Sequence, residues 1–353
     1  MPKLHTLGFF EPGHFHAALT LKTSNPRISS DVHLYATPGS DRDAFVALIE
    51  AFNARAQEPT AWRLHIHDVQ DPLAALIDDS HVDIVVLAGR NASKLQATAA
   101  LHNAGIAVLA DKPWLTDPAS LAHLERVTTG LPLVLDIMTE RHDTLARLRA
   151  TVVVTPSVFG EFSRHDPDGP AIEIGSTHHL FKRVNGVPLI RPTWYYDVGV
   201  QGDGLVDIQS HMVDQVQWLC DDGTTFDIDT DVNALQAKRW GTAVPVDLFR
   251  DSTGADEFPG ATLGDVTGTV LDLQCNGTIR CAMRGVPVAL RAEWRQREPE
   301  NGGDIHAAHL RGTRAELILE HGPHTGFDKR LHLKPRPGIE LEPTLSEVVR
   351  EWQ

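Results

Sequence analysis

The sequence predicts an α/β protein of two domains: a doubly wound parallel sheet, followed by an α+β domain with a large open, mostly antiparallel sheet. In the first part of the chain, apolar strand-like runs alternate with amphipathic helical runs, as in parallel sheets covered by helices on both faces. Later, long strand-like runs follow one another between turn signals, which is typical of antiparallel strands. Because 353 residues exceed what one hydrophobic core usually holds, we expect domains at 1–145 and 146–353.

The first domain is predicted to alternate strands with helices. The strands are the apolar runs 3–10, 31–37, 62–68, 82–89, 106–110 and 131–138. The helices are the amphipathic runs 14–22, 41–56, 71–79, 91–105 and 117–129. Pro72 in the first turn of the third helix and Gly105 at the end of the fourth mark helix boundaries. Ligands of such sheets bind at the carboxyl ends of the strands.

The second domain is predicted to be a meander of antiparallel strands with one long helix on a face. The strand region begins at 151–166, and later strands are expected at 267–277, 278–285, 286–296, 304–312 and 314–322. Asn276-Gly277, between Cys275 and Cys281, is the two-residue signal of a tight hairpin. The helix is expected from about Gly204 to Leu219.

Charge and cysteine content restrict the function classes open to the chain. A net charge of −15 argues against a nucleic-acid or anionic-membrane binder, because both need a basic face. The apolar runs are too short to span a bilayer, and the N-terminus lacks a secretory signal. Three cysteines without paired spacing indicate reduced thiols and a cytoplasmic protein. The histidine pairs at 14/16, 65/67 and 178/179 lack the spacing of structural zinc sites, so no metal is predicted.

The stretch GDGLVDIQSHMVDQVQWL carries the most informative polar pattern. Asp207, His211 and Asp214 are spaced i, i+4, i+7, which stacks their side chains on one face of a helix. A carboxylate one turn from an imidazole holds one tautomer and raises the basicity of the ring, as a general base requires. Glycines at 199, 202 and 204 let the backbone approach a ligand closely. The alternative is a solvated helix face with an incidental histidine.

The first strand leads into GFFEPGHFHAAL, an incomplete nucleotide-binding loop. Gly8 and Gly13 hold the first and third positions of G-x-G-x-x-G. Phe10 occupies the second, where a side chain blocks a pyrophosphate unless the loop takes another path. The strand–turn–helix order still predicts a pyrophosphate over the loop Phe10 to His14, at the N-terminus of the following helix.

The end of the second strand bears on the choice between NAD and NADP. An acidic residue there would bind the ribose hydroxyls, but no carboxylate stands directly at this strand end. Thr37, Ser40 and Arg42 could accommodate a 2′-phosphate, and Asp41 could bind a ribose. The sequence leaves both cofactors open.

Several motifs together resemble the Gfo/Idh/MocA family of NAD(P)-dependent oxidoreductases, which act on sugars, polyols and related carbohydrates. The resemblance covers nearly the whole chain and rests on GFFEPGHFHAAL, VVLAGRN, AGIAVLADKPW and the Asp-His-Asp pattern above. Asp111-Lys112-Pro113 stands where the family has Glu-Lys-Pro, so the chain departs from the family there and at Phe10. PGHFHAALTLK, DIMTER and the long stretch from STHHLFK to DQVQW are similar to a subgroup with a distinctive C-terminal domain.

The resemblance implies a Rossmann fold for the first domain and a role for each matching residue. Lys112 would hydrogen-bond the reacting hydroxyl and favour its developing alkoxide charge. His211 would be the general base, and Asp207 would orient it or bind a neighbouring hydroxyl. These three residues are expected to converge near the nicotinamide, where Pro113 holds the Lys112 loop. The residues expected to bind the cofactor are Gly8, Phe10, Pro12, Gly13, His14, Phe15, Thr37, Ser40, Asn91, Asp111, Lys112 and Pro113.

A further set of side chains is expected to contact the substrate. Its members are Arg141, His178, His179, Lys182, Trp194, Tyr195 and Asp214. The two histidines and the lysine are placed in a polar loop, and the aromatic run 194–196 could stack on the apolar face of a sugar ring. Packing between domains is the alternative for the aromatic residues, and a surface ion pair is the alternative for Arg141.

The sequence therefore predicts an NAD(P)-dependent oxidoreductase that moves a hydride between a nicotinamide cofactor and a hydroxyl-bearing carbon of a sugar, polyol or sugar derivative. Two alternatives stay open. One is glycoside cleavage or isomerisation through transient oxidation with retained NAD, and the other is a non-catalytic nucleotide-binding regulator on the same fold. The open sheet at about 265–335 also predicts a homodimer or homotetramer.

Overall fold

The computed structural model describes residues 3–79, 81–127, 130–184, 186–258 and 265–341. The chain forms two compact units. The first comprises Met1–Ile137 together with Pro192–Gly202, and the second comprises Met138–Arg191 together with Asp203–Gln353. The segment 192–202 thus joins the first unit, although it lies within the second unit's part of the sequence. No helix in the described ranges is long and apolar enough to cross a membrane.

The strands of the first unit form one parallel sheet. They are β1 His5–Phe10, β2 Ile28–Tyr35, β3 Arg63–His67, β4 Ile84–Leu87, β5 Ala107–Asp111 and β6 Val134–Ile137. The helices among them are α1 His16–Leu19, α2 Ser40–Ala54, α3 Pro72–Asp78, α4 Lys94–Asn103 and α5 Leu121–Val127. The strand order is β3-β2-β1-β4-β5-β6, which is the Rossmann order, so the predicted doubly wound sheet is confirmed.

Apolar side chains cover both faces of this sheet. Phe9 and Leu34 pack on one face with Phe45 of α2. Val85 packs on the other face with Leu76 of α3. Because both faces are buried, the carboxyl ends of the strands are the edge left for a ligand.

The second unit is built on a long mixed sheet. The strands of this unit are β7 Ile172–Phe181, β8 Arg183–Val184, β9 Val187–Pro188, β10 Val232–Pro245, β11 Asp265–Thr267, β12 Val270–Met283, β13 Val286–Arg297, β14 Ile305–Arg311, β15 Ala315–His321 and β16 Arg330–Pro335. The helices from α6 onward are α6 Thr144–Val153, α7 Val198–Gln201, α8 Gln209–Leu219, α9 Ile228–Asp231 and α10 Val246–Thr253, of which α7 belongs to the first unit.

The strand order in the large sheet is β10-β12-β13-β7-β14-β15-β16, with β11 paired to β12. Strands β13 and β7 run parallel, and the other pairs in this order run antiparallel. The predicted mostly antiparallel sheet is therefore confirmed. Helices α6 and α8 supply Val152, Met212 and Val216 to the apolar core that lies on one face of this sheet.

The stretch 151–166 does not begin the strand region, so that prediction is wrong. Thr144–Val153 is helical, and the side chain of Asp143 caps it by accepting a hydrogen bond from Ala146 N at 2.9 Å. The β-branched residues Val152 and Val153 favour a strand by propensity. Their burial in the core beneath the sheet overrides that preference, and the loop that follows carries only an isolated bridge at Phe162 within the described residues.

The predicted hairpin at Asn276-Gly277 is also wrong, because β12 runs through these residues without a break. Gly277 instead permits close contact with Gly204, since a Cβ at position 277 would lie 2.2 Å from Gly204 O. The side chain of Asn276 accepts a hydrogen bond from Trp294 N at 2.6 Å. The turn between β12 and β13 lies at Arg284-Gly285, where both residues have positive φ, of 50° and 74°.

Candidate functional site

The loop after β1 lies against the end of β4. The backbone N–H groups of Gly13 and His14 both donate to Ala88 O, at 3.0 Å each. Gly89 permits this approach, because a Cβ there would lie 2.2 Å from Glu11 O. The helix expected at 14–22 is only the single turn α1 in the described residues. The amides of Gly13 and His14, which were expected to face a pyrophosphate, therefore donate to a backbone carbonyl of the protein instead.

The first residues of this loop serve packing. Phe10, which replaces the second glycine of the motif, packs against the core cluster that contains Leu87. A Cβ on Gly8 would lie 2.8 Å from a methyl of Val82, so the glycine is needed for tight packing. Phe15 is half exposed, whereas Pro12 is buried. The loop thus takes a path in which the Phe10 ring contributes to the core.

A cavity of about 330 Å³ opens at the carboxyl ends of β1, β2 and β4. Its lining includes Phe10, Thr37 and Ser40, which are predicted cofactor residues, together with Asp41 and Arg42. Arg42 donates a hydrogen bond to Asp68 Oδ1 at 2.5 Å, so its charge is already paired. This placement agrees with the rule that ligands of doubly wound sheets bind at strand ends.

Glu11 is a residue of this cavity that sequence reasoning missed. Its backbone has a φ of 42°, which turns the side chain toward the end of β2. There its carboxylate accepts hydrogen bonds from Thr37 N at 3.0 Å and from Thr37 Oγ1 at 3.3 Å. The structure therefore places a carboxylate at the strand end where the local sequence has none, and supplies it from the neighbouring parallel strand.

The buried carboxylate of Asp111, at the end of β5, holds two histidines of the first loop. His16 Nδ1 lies 3.0 Å from Asp111 Oδ2, and His14 Nδ1 lies 3.4 Å from the same oxygen. Burial opposes ionisation of Asp111, but hydrogen bonds from both histidines outweigh it and hold the pKa of this carboxyl well below its usual range. Burial, with smaller contributions from the charges of His16 and Lys112, outweighs the opposing effect of Asp111 and lowers the pKa of His14 to about 4.

Lys112 and Pro113 continue from Asp111 in a turn that is tied to α4. Lys112 is buried, with 8% of its surface exposed, and the peptide bond between Lys112 and Pro113 is cis. The buried amine of Lys94 donates to Asp111 O at 2.8 Å and to Asn91 Oδ1 at 2.5 Å. Lys94 was not predicted as a site residue, because only the tertiary fold brings it to this turn.

Trp194 and its neighbours pack within the first unit. The side chains of Trp194, Tyr195 and Tyr196 are buried, with 7%, 9% and 1% exposed. Trp194 Nε1 donates to Asp41 Oδ2 at 2.9 Å, and a Cβ on Gly13 would lie 3.1 Å from the indole ring. Trp194 of the aromatic run expected to stack on a substrate is thus packed against the first loop, within the first unit.

The same segment is fixed to the predicted cofactor residue Asn91. Asn91 Nδ2 donates to Gln201 O at 2.7 Å, and Asn91 N donates to Val200 O at 3.1 Å. Asn91 therefore links α4 to the segment 192–202 through its backbone and its side chain.

In the second unit, His211 lies in the first turns of α8 and Asp207 precedes the helix. The helix begins at Gln209 and not at Gly204, because Gly204 N donates to Gln274 O of β12 at 2.9 Å and holds the preceding turn against the sheet. Asp207 is buried. Burial, with a smaller contribution from the neighbouring Asp207 charge, raises the pKa of the Cys275 thiol to about 12. The glycine at 204 thus serves contact with β12.

Asp214 pairs with Arg141. The Arg141 guanidinium donates to both Asp214 oxygens, at 2.7 Å and 2.9 Å, and lies over the ring of Trp218 at 5.7 Å. This is the ion pair that was the alternative interpretation of Arg141. Asp214, the third residue of the Asp-His-Asp pattern, thus accepts a bidentate pair of hydrogen bonds from the ε and η nitrogens of Arg141.

His178 and His179 lie on the central strand β7, so their predicted placement in a polar loop is wrong. Asp304 compensates their burial: His178 Nδ1 lies 3.2 Å from Asp304 Oδ2, and Lys182 Nζ lies 2.5 Å from the same atom. Burial opposes ionisation of Asp304, but these partners outweigh it and hold its pKa well below the usual range. His306 on β14 adjoins His178, with ring centroids 5.4 Å apart.

The predicted residues thus form separate groups in the described parts of each unit. In the first unit, the loop after β1, the end of β2 and the turn at 111–113 lie at strand ends. In the second unit, the Asp304 group lies on β7 and β14, and His211 lies on α8. Asp304 follows two glycines in an ordinary loop sequence, so no local signal could have identified it.

Family profiles match most of the chain. Residues 27–135 match "Oxidoreductase family, NAD-binding Rossmann fold", and residues 148–353 match "Putative oxidoreductase C terminal domain". No curated protein matches the sequence.

Solved structures share the fold over the full chain. A crystal structure described as a "putative oxidoreductase from Parabacteroides merdae" has 34% sequence identity and a TM-score of 0.91, covering 99% of this chain and 81% of its own. Levoglucosan dehydrogenase in complex with NADH has 14% identity and a TM-score of 0.60, covering 95% and 79%. The WlbA dehydrogenase from Bordetella pertussis, in complex with NADH and UDP-GlcNAcA, has 13% identity and a TM-score of 0.55, covering 99% and 82%. At such low identity, the last two show likeness of fold alone.

Proposed function

The chain belongs to the Gfo/Idh/MocA family of NAD-binding oxidoreductases, and we propose that it transfers a hydride between a nicotinamide cofactor and a hydroxyl-bearing carbon of a sugar, polyol or sugar derivative. The observation that carries this proposal is Lys112, a buried cation directly after β5. It follows an ionised carboxylate that two histidines of the nucleotide loop hold in place. A cation at the ligand-binding edge of the sheet can stabilise an oxygen that gains negative charge.

Each residue has a distinct part in the proposed chemistry. The bound nicotinamide supplies the hydride acceptor or donor. Lys112 donates a hydrogen bond to the reacting oxygen of the substrate. His211 accepts the proton of that hydroxyl, and Asp207 orients His211. Asp111 positions Lys112 indirectly, because Lys94 and the two loop histidines fix the turn in which both residues lie.

The residues at the end of β2 fit a dinucleotide without a 2′-phosphate. The hydroxyls of Thr37 and Ser40 and the carboxylate of Glu11 lie in the cavity at the strand ends. A carboxylate there accepts hydrogen bonds from ribose hydroxyls and repels a phosphate. Arg42, which could accommodate a 2′-phosphate, is paired with Asp68. We therefore propose that the chain prefers NAD to NADP.

Carbohydrate-like substrates are the class that the structural neighbours suggest. These neighbours include levoglucosan dehydrogenase and a dehydrogenase in complex with a nucleotide sugar. The polar group around Asp304 in the second unit, with its histidines and Lys182, offers the donors and acceptors that a polyhydroxylated ligand needs.

The test is single-turnover kinetics with a panel of sugars, glycosides and polyols, followed by the absorbance of reduced nicotinamide. Once a substrate is found, replacing His211 or Lys112 by Ala should slow the hydride-transfer step by roughly 10² to 10⁴, while NAD affinity stays within a few-fold of wild type. The matched control is Lys238→Ala on the exposed strand β10, which should leave the rate unchanged. Full activity of the Lys112→Ala variant would contradict the assigned role.

A further inference from the structure

A histidine-rich patch lies on the first unit at the outer strand pair of its sheet. Side chains alternate along a strand, so His33 and Tyr35 of β2 point to one face, and so do His65 and His67 of β3. The parallel register places His33 beside His65 and Tyr35 beside His67. Asp79, directly after α3, reaches the same patch. The proposed catalytic chemistry makes no use of these residues.

Three atoms of this patch have the separations of ligands around one metal ion. His33 Nδ1 lies 3.1 Å from His67 Nε2 and 3.4 Å from Asp79 Oδ2. All three ligand atoms lie within 4.8 Å of one another. A tetrahedral ion with bonds of about 2.0 to 2.1 Å holds its ligands about 3.3 to 3.4 Å apart. The three side chains could therefore close around an ion with small rotations.

Neighbouring groups hold these ligands in orientation. The ring of Tyr35 stacks on His67, with centroids 4.1 Å apart and an angle of 7° between the planes. The Tyr35 hydroxyl donates to Asp79 Oδ2, and His81 N donates to Asp79 Oδ1 at 2.8 Å. Such outer partners orient ligands at metal sites and tune their basicity.

We propose that His33, His67 and Asp79 form a binding site for a divalent first-row transition-metal ion, with Zn²⁺ as its reference ligand. Two imidazoles and a carboxylate are a donor set that suits Zn²⁺ and its neighbours, and a water completes the tetrahedron. The ion links β2, β3 and the chain after α3, so it stabilises the outer edge of the sheet. The side chains of His33 and Asp79 are 14% and 13% exposed, whereas His81 is 78% exposed, which leaves a route for the ion.

A second group in the described residues could compete for the same ion. His14, His16 and Asp111 also bring ligand atoms within 4.8 Å of one another, at the proposed cofactor site. The experiment must therefore separate the two groups. A variant at His16 removes the competing group and leaves His33 and His67 intact.

The test is titration of the chelator-treated full-length chain with ZnCl₂ by isothermal titration calorimetry, with CoCl₂ absorption as a probe of geometry. We expect one site that is lost in His33→Asn and His67→Asn, with affinity reduced by about 100-fold or more, since even outer-shell changes cost 10- to 100-fold. His16→Asn and His332→Asn, the latter an exposed histidine of β16, should keep the affinity. Zn²⁺ should also raise the melting temperature of the wild type and not that of the His67→Asn variant.

Several results would overturn the proposal. They are absence of Zn²⁺ binding to the wild type at submillimolar concentration, binding that persists in both His33→Asn and His67→Asn, and binding that disappears in His16→Asn. Where an asparagine variant does not fold, as judged by circular dichroism, Asp79→Asn replaces it. The Co²⁺ spectrum of the wild type is independent of all variants, and weak octahedral bands would also contradict a tetrahedral site.

Discussion

Replacing Gly277 by Ala should destabilise the second unit at the place where the turn before α8 meets β12. A Cβ at this position would lie 2.2 Å from Gly204 O and 2.7 Å from Gly204 C. Carbon–oxygen contacts are normally about 3.3 to 3.6 Å, so the two backbones must separate by about 1 Å. That separation strains the hydrogen bond from Gly204 N to Gln274 O and the one from Gln209 Nε2 to Gly277 O, both 2.9 Å long.

The expected loss follows from these contacts. Two weakened hydrogen bonds cost about 0.5 to 1.5 kcal/mol each, and overpacking a tight contact costs about 1 to 3 kcal/mol. The backbone entropy of Gly offsets about 0.5 to 1 kcal/mol of this. The free energy of unfolding should therefore fall by about 1 to 5 kcal/mol. Because the displaced turn carries Asp207 and leads into His211, hydride transfer should slow as well.

Urea unfolding followed by circular dichroism measures this change from the midpoint and slope of the transition. The matched control is Gly175→Ala on β7, where a Cβ meets only Arg291 O, at an ordinary 3.8 Å. That variant should be neutral or stabilising by up to about 1 kcal/mol. A Gly277→Ala protein within about 0.5 kcal/mol of wild type, the range of ordinary surface changes, would show that the close contact does not hold the turn.

Cofactor preference, acid stability and assembly each give a further test. Glu11→Gln should reduce the preference for NAD over NADP by about tenfold, because it removes one negative charge near the expected 2′ position; fluorescence titration with both cofactors measures it, and an unchanged ratio would refute the assignment. Burial and the neighbouring His178 lower the pKa of His306 from 6.5 to about 3, so stability should be complete above about pH 6.5 and decline as the pH falls toward 3. The slope from one such histidine is at most about 1.4 kcal/mol per pH unit, and His306→Gln should flatten this acid branch in urea unfolding at several pH values. Light scattering should give a mass above the 38.8 kDa of one chain, as the open sheet of the second unit predicts; a single-chain mass in dilute solution would exclude that assembly.

Regular periodicity is what made the first unit predictable. The apolar runs at β1, β4 and β5 are short, and each is followed by a run that the sequence predicts to be helical, a pattern that few other folds produce. The same reasoning predicts where ligands bind, because strand ends in a doubly wound sheet share one edge. The periodicity does not give the path of a loop. It therefore does not predict that the amides of Gly13 and His14 donate hydrogen bonds to Ala88 O.

Residues that act through tertiary contact were beyond reach of the local sequence. Glu11 reaches the end of β2 because β1 and β2 are parallel neighbours that end together, with Phe10 opposite Tyr35. Nothing in the letters around Thr37 indicates a carboxylate. Lys94 is a further case, since the local sequence at the start of α4 does not distinguish an exposed lysine from a buried one.

Two errors in the second unit, at Asn276-Gly277 and at His178-His179, share one physical cause, which is the replacement of water by distant partners. Asn276-Gly277 is a strong hairpin signal when both residues are solvated, yet in β12 the amide of Asn276 bonds Trp294 N and the glycine fits against Gly204. His178 and His179 are likewise polar residues that favour a loop, until Asp304 compensates their burial in β7. A polar residue in a sheet interior needs such a partner, because an unpaired buried polar group destabilises the fold by about 1 to 3 kcal/mol. These partners are 18 and about 125 residues away in the sequence. A polar segment that the sequence assigns to a loop, but that forms a strand, therefore marks a place where the fold brings charged and hydrogen-bonding groups together. In β7 that place is the group around Asp304, which is proposed to contact the substrate.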